Sequence, residues 1–338
     1  MDKTECKTIK VEKADYTDWP SLLTVEKAVP LEATSSSLVT MASKCMVRDG
    51  KIYFADFKLK SIFVFDMKGK FLFSCANVGN AKSEHADLWD FSLSEDGKAI
   101  EVLDEKGVAS YDVSSGKFIS RDKRVNKSAS EYMGFLPLPD NGYLLYATAR
   151  DHTISRMAND GNAEGLRKRK GYQMTYGHFF KSHDGILVSP DYGCFTIDAY
   201  SDGKLVPRYA LDFGSQALPA NMIGDDYASF DRTDALEQYF KVAIGVMENS
   251  KWLYASVIGP KHKRFVVLYN KKSEGVYAGP VDERFAVSFV DMDDSGIYGL
   301  VYPDMLPKDS PLLSAIGGSA GKSFSNPVLV KMKIHEDR

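Results

Sequence analysis

The chain has 338 residues, 44% hydrophobic and 26% charged, and a net charge of −3 from 43 basic and 46 acidic side chains. Those fractions belong to a folded globular protein and exclude wholesale disorder. The near balance of charge leaves no basic footprint for nucleic acid, and no apolar run approaches the roughly 18–20 residues of a membrane helix.

Residues 1–24 are polar and irregular and read as an N-terminal tether. Met1–Cys6 lacks the basic and apolar regions of a signal peptide. Two readings stay open: a cytoplasmic protein, or a chain that starts after a removed export signal. Cys6, Cys45, Cys75 and Cys194 are scattered, make no metal-binding spacing and read as free thiols.

From residue 44 onward, tight-turn pairs punctuate short apolar runs. They are Asp49-Gly50, Asp96-Gly97, Asn141-Gly142, Asp184-Gly185, Asn249-Ser250 and Ser295-Gly296. Such pairs between apolar runs mark hairpins, because a tight primed turn needs positive φ. Their second residues are spaced by 47, 45, 43, 65 and 46. A second turn series, at Gly69, Gly116, Gly161, Gly203 and Gly275, follows the first by 19, 19, 19, 18 and 25. Two turn series in one register predict a four-stranded antiparallel sheet every ~45 residues, the size of a propeller blade. Six first turns predict an all-β, six-bladed β-propeller. The last unit lacks an outer strand, and Val25–Leu31 is the candidate that closes the ring. The chain then divides into a tether, 1–24, and a single propeller domain, 25–338.

The stretch Ser61-Ile62-Phe63-Val64-Phe65-Asp66-Met67-Lys68-Gly69-Lys70-Phe71-Leu72 resembles a hairpin of NHL-like propellers. Val29-Pro30-Leu31-Glu32 followed by Ile52-Tyr53-Phe54-Ala55-Asp56 is similar to the opening of the six-bladed, TolB-like propellers common in Bacteroidetes. The likeness spans roughly residues 25–334, carried by order and spacing. One segment departs from it. Where such proteins carry a glycine-rich loop, this chain reads Gly79-Asn80-Ala81-Lys82-Ser83-Glu84-His85. The resemblance implies an exported protein, periplasmic or on the cell surface. It leaves room for a lipid anchor on the unprocessed chain.

Two insertions break the period. Residues 212–240 separate blades four and five, and Asp231–Phe240 reads as a helix with Thr233 as its cap. Residues 303–326, rich in Pro and Gly, separate the second and third strands of blade six. Meander topology puts both at the end of the sheets that carries second-to-third loops and blade-to-blade connections. Loops on a rigid scaffold often carry function, so that side, over blades four to six, is the expected binding surface. Covering the apolar flank is the competing role.

Candidate chemistry is sparse. Asp56, Asp104, Asp151 and Asp191 recur at the ends of second strands. They are either calcium-holding carboxylates or turn-starting residues bonding their own backbone. Inner-strand entries supply Trp89, Asp90, Glu131, Tyr132, Tyr176, His178, Tyr239, Lys241 and Arg284 as ligand-binding candidates. Resemblance to six-bladed lactonases implies oxygen ligands on inner strands. Only Asp90 and Glu131 qualify, as a weak metal site, and no catalytic set is assigned. The aromatic residues suit sugar stacking or packing between blades. No two histidines share ligand spacing on one strand, and no nucleophile elbow is present. Gly317–Ser323 ends in GKS but misses the P-loop spacing. Arg167-Lys168-Arg169-Lys170 reads as a solvated edge strand protected by charge. The expected function is a non-enzymatic binding or scaffold propeller that engages a protein or glycan through its loop-rich side, with no cofactor. The alternative is a metal-dependent hydrolase or lyase, with calcium as the one metal considered.

Overall fold

The computed structural model describes residues 6–11, 17–40, 44–125, 132–173, 178–182, 184–224, 237–317 and 325–335. Strands β1 (Lys7–Lys10) and β2 (Leu23–Pro30) come first, separated by a short helix at Trp19–Leu22. Strands β3–β6 follow at Lys44–Arg48, Lys51–Asp56, Ser61–Asp66 and Phe71–Cys75. Strands β7–β10 lie at Leu88–Leu93, Ala99–Asp104, Gly107–Asp112 and Phe118–Asp122. Strands β11–β14 lie at Tyr132–Pro137, Tyr143–Ala147, His152–Met157 and Ala163–Lys168. Strands β15–β18 lie at Phe179–Ser182, Gly185–Val188, Thr196–Ser201 and Lys204–Asp212. Strands β19–β22 lie at Val242–Glu248, Trp252–Ile258, Arg264–Asn270 and Val276–Pro280, and β23–β25 at Ser288–Asp293, Gly296–Val301 and Val328–Ile334.

Each of the first five sets forms one sheet in consecutive strand order, and the last three strands join β2 in the order β2-β25-β24-β23. These six sheets are the blades of a β-propeller. The N-terminal strand completes the sixth blade as expected. It starts two residues earlier than predicted, pairing from Leu23↔Ile334 to Pro30↔Val328.

The turn residues explain the meander. Asp49 and Gly50 both take positive φ, 50° and 73°, between β3 and β4, as a two-residue primed turn requires. At Gly69 the need is also for space: a Cβ there would sit 2.1 Å from the Pro30 carbonyl oxygen. In blade five the second turn is longer, and Glu274, not Gly275, carries the positive φ of 60°.

Two compact units are distinguished. The first comprises Met1–Asp18, Tyr146–Arg156 and Glu164–Val281. Its core gathers Ile9, Leu187, Ile197, Tyr209, Leu253 and Val267. Phe240 stacks on Phe213 with centroids 4.1 Å apart and meets Phe265 edge-on at 5.0 Å. The second comprises Trp19–Leu145, Met157–Ala163 and Asp282–Arg338. In it, β4 is buried on both faces. Ile52 and Phe54 join Val29, Leu300 and Leu329 on one side, while Tyr53 and Ala55 join Phe91, Val102 and Tyr111 on the other. Alternate side chains point to opposite faces, so such a strand reads as one continuous apolar run.

Three local readings change. Within the expected tether, Lys7–Lys10 form a strand that adds a fifth member to the fourth sheet, parallel to β18 from Lys7↔Tyr209 to Lys10↔Asp212. Its short length hid it, although Ile9 is 1% exposed and Val11 7%. Of the helix expected over 231–240, residues 231–236 lie outside the described residues, and Phe240 instead forms a bridge with Ala217. The 303–326 loop contains a short helix, Pro311–Ala315, capped by Ser310, whose hydroxyl accepts from the Leu312 amide.

Because Ile9 is a buried side chain, Ile9→Ala should destabilise the protein by about 2–3 kcal/mol. Urea unfolding measures this. An unchanged midpoint would mean that β1 contributes nothing to the first unit.

Candidate functional site

Asp90 sits just past a β-bulge. Leu88 pairs with Asp104 and Asp90 with Leu103, so Trp89 is the extra residue. A bulge re-aims side chains, and here it turns Asp90 toward its neighbours. Its Oδ1 accepts from Lys44 Nζ at 2.8 Å and from the Phe91 amide at 2.8 Å. Its Oδ2 accepts from the Phe135 amide at 3.0 Å. The carboxylate thereby ties inner strands β3, β7 and β11 together.

The same device recurs in blade six, where the register shifts between Phe289 and Asp291. Asp291 accepts from the Val47 amide at 2.7 Å, the Met292 amide at 2.9 Å and Arg48. Burial pushes the Asp291 carboxyl above the usual carboxylate range, with Arg48 and the two amides pulling it back. Sequence reasoning missed Asp291. Its one trace in the sequence is an acid beside Val290 and Met292, which does not reveal the bulge that turns it inward.

The remaining candidates divide between the units. In the second unit, Trp89 is half-buried and Tyr132 fully buried. Arg284 is exposed, and its carbonyl accepts from the Ser310 hydroxyl at 2.5 Å. In the first unit, the His178 ring stacks on Tyr146 with centroids 3.2 Å apart and an interplanar angle of 13°. Tyr239 packs against Tyr192, Leu218 and Val242. Lys241 is fully buried, with Nζ 3.2–3.3 Å from the two ring nitrogens of His262. Desolvation lowers its pKa. Glu131 and Tyr176 lie outside the described residues. Among the described residues, no three His, Cys, Asp or Glu side chains gather at a range that would hold a metal.

The recurring acids serve their own surroundings. Asp56 Oδ1 accepts from the Lys58 and Leu59 amides at 3.0 and 2.9 Å, an Asx-type turn cap. Asp104 accepts from the Lys106 amide at 2.7 Å and from Arg121. Asp191 pairs with Arg167 at 3.0 Å and accepts from the Thr153 hydroxyl at 2.8 Å. Asp151 is exposed. Arg167 corrects the reading of the basic run. Within it Lys168 and Lys170 are exposed, but Arg167 points inward to Asp191 and Asp198, the latter at 2.6 Å.

In the second unit, hydrogen bonds lock loop to loop at the end of the sheets that carries second-to-third loops and blade connections. Asn326 accepts from the Val39 amide at 3.0 Å and donates to the carbonyls of Glu32 and Ser37 at 2.8 and 2.7 Å. Asp56 Oδ2 accepts from the Thr40 amide and hydroxyl at 2.6 and 2.8 Å. Lys60 Nζ donates to the Ala86 carbonyl at 2.7 Å, and the Lys60 carbonyl meets His85 Nε2 at 2.8 Å. Glu105 accepts from the Ala86 and Asp87 amides at 2.7 and 3.0 Å. The segment that lost its glycines closes on itself. The Glu84 carboxylate accepts from the Ala81 amide at 2.8 Å and lies where any side chain at Gly79 would fall.

From this rim four apolar side chains stand into solvent. They are Leu38 at 48% exposure, Leu59 at 40%, Val78 at 56% and Met305 at 78%. Leu72, Ile119 and Val206, also exposed, lie on outer strands. In the first unit the described part of the 212–240 insertion packs against neighbouring loops. Ile223 fills the space beside Gly171 and Gly193, where a Cβ would approach it to 2.5 and 2.3 Å. The Tyr172 amide donates to the Gly224 carbonyl at 2.7 Å. That stretch covers an apolar flank, the competing role given to it above.

Fold and rim together define a six-bladed propeller with a rigid loop rim. Residues 21–316 match the model of a domain of unknown function, DUF4934, and the chain belongs to that family. A Bacteroides fragilis protein assigned as exported is similar in structure, with TM-score 0.77 and 16% identity over 97% of this chain and 99% of that one. A DUF4221 family member from Bacteroides vulgatus gives TM-score 0.65 and 12% identity over 93% and 98%. At such identities the likeness shows the fold alone. Virginiamycin B lyase from Staphylococcus aureus gives TM-score 0.46 and 12% identity over 82% and 81%, too distant to argue for an activity. No curated protein matches the chain.

Asp90→Ala should strip the Phe135 amide of its acceptor, leave Lys44 only the Phe91 carbonyl, and destabilise the protein by roughly 2–3 kcal/mol. Asp90→Asn should fall between that variant and the wild type. Unchanged urea midpoints for both would show that Asp90 ties nothing.

Proposed function

We propose that this protein is an exported, non-enzymatic binding propeller whose loop rim in the second unit docks a protein partner. The observation that carries this reading is the set Leu38, Leu59, Val78 and Met305, exposed on loops that hydrogen bonds hold in place. Several exposed apolar side chains on the loops at one end of the sheets offer a surface for a partner, and methionine adapts to partners of varied shape. A protein fits better than a glycan. Sugar recognition relies on open aromatic faces, and none of the large exposed apolar side chains among the described residues is aromatic. The hydrolase or lyase reading has less support, because both Asp90 oxygens already accept hydrogen bonds within the fold. Placement in the periplasm or at the cell surface rests on the Bacteroides fragilis likeness, and no helix among the described residues is long and apolar enough to cross a membrane.

The test compares Met305→Asp with Leu59→Asp in the producing cells, by cross-linking and co-purification from the extracytoplasmic fraction. Each variant should keep the wild-type melting temperature and lose at least tenfold in partner recovery. Undiminished recovery in the double variant would reject the rim as the docking surface. Adding EDTA should leave both melting and recovery unchanged; a fall in either would revive the metal-dependent reading.

A further inference from the structure

Glu101 occupies an unusual place on β8. Its neighbours Ile100 and Val102 face blade one, packed with Ile62 and Val64. Strand alternation therefore points Glu101 the other way, toward blade three. On that face its cross-strand partners are Ser92 and Ser110, and Ser120 pairs beyond Ser110. A polar stripe thus runs across a sheet whose other face is apolar. Glu101 Oε2 is buried and has no hydrogen-bond partner among the described residues.

Nearby cationic charge is already committed. Arg124 Nε donates to both oxygens of Asp122, at 3.1 and 2.8 Å. Its Nη1 donates to the Asn159 carbonyl at 2.7 Å and its Nη2 to the Asn141 carbonyl at 2.9 Å, both in turns of blade three. The guanidinium lies 5.5 Å from the Tyr143 ring, and the Tyr143 hydroxyl donates to Asp122 at 3.2 Å. Arg124 is therefore a tie across the seam between blades two and three, in addition to the Asp90–Phe135 bond between their inner strands. We propose that Glu101 is a proton-operated latch on this seam. Protonated, it leaves Arg124 on the Asn141 and Asn159 carbonyls; ionised, it draws Arg124 away and loosens the seam.

The electrostatics agree with the geometry. Burial first, then Asp122 and Asp96, push the Glu101 carboxyl up to about 7, with Arg124 opposing them. Asp122, although burial works against it, is held below the usual range by Arg124. Burial raises the Tyr143 hydroxyl, with Glu101 and Asp122 adding to the effect. These four groups, Asp96, Asp122, Arg124 and Tyr143, are the charged and titratable neighbours that Glu101 feels.

For a carboxyl raised on folding, the native state holds the proton more tightly than the unfolded chain. Its contribution is complete below the unfolded pKa and is lost as pH rises through the folded one, about 7. Glu101→Gln keeps the shape and cannot ionise. Relative to wild type, its folding equilibrium should be unchanged at pH 4 and more favourable by roughly a hundredfold at pH 8. Hydrogen exchange, corrected for intrinsic rate, should show wild-type protection over residues 139–147 and 157–163 falling as pH rises through neutrality, and Glu101→Gln holding it. Asp122→Asn, which removes the facing charge and frees Arg124, should move the wild-type midpoint to lower pH. Parallel pH profiles for wild type and Glu101→Gln, or a Glu101 carboxyl carbon titrating near the ordinary glutamate value, would overturn the latch.

Discussion

The propeller's second unit depends on one arrangement: a carboxylate placed just past a bulge on an inner strand, accepting from a backbone amide of the next inner strand. Asp90 does this for Phe135 and Asp291 for Val47. Inner strands of neighbouring blades belong to different sheets, so no ladder joins them. Side-chain packing alone would leave their relative height soft, because apolar contact is non-directional. A buried charge-assisted hydrogen bond is directional and costly to leave unmade. Lys44 and Arg48, both on β3, offset the burial of these carboxylates. One strand therefore supplies the counter-charge on both of its sides.

The rim follows from that footing. With sheets six, one and two fixed, the loops at this end bond one another through Asn326, Asp56, Lys60 and Glu105. An apolar side chain on such a loop cannot fold back into a core whose positions are filled. Val78 is thus held in water by the bridge its backbone makes with His85, whose ring meets the Lys60 carbonyl.

Much of this was legible in the sequence. Turn pairs such as Asp49-Gly50 require a backbone conformation few residues adopt, so their period reported the blade directly. Val25–Leu31 was legible because the last unit lacked a strand. The bulges were not, since a bulge changes one pairing without changing residue type; Asp90 therefore looked like a ligand and Asp291 like nothing. β1 escaped because four residues carry little periodicity, and its burial depends on Tyr209 and Leu211, two hundred positions away. Arg167 was hidden in a basic run because composition does not say which way a strand residue points. For the proposed docking site, topology pointed to the loop-rich end of the sheets over blades four to six, whereas the exposed apolar side chains lie on loops of blades six, one and two. The particular residues were not readable, because exposure is decided by neighbours distant in sequence.

The pairing of β1 has a mechanical consequence. It lies parallel to β18 over four residue pairs. A pull on the N-terminus along that strand loads all of its inter-strand bonds together, in shear, instead of peeling them one by one. Tension arriving from that end would meet a sheared clasp on blade four, where an unstructured leader would have passed it straight to the next strand.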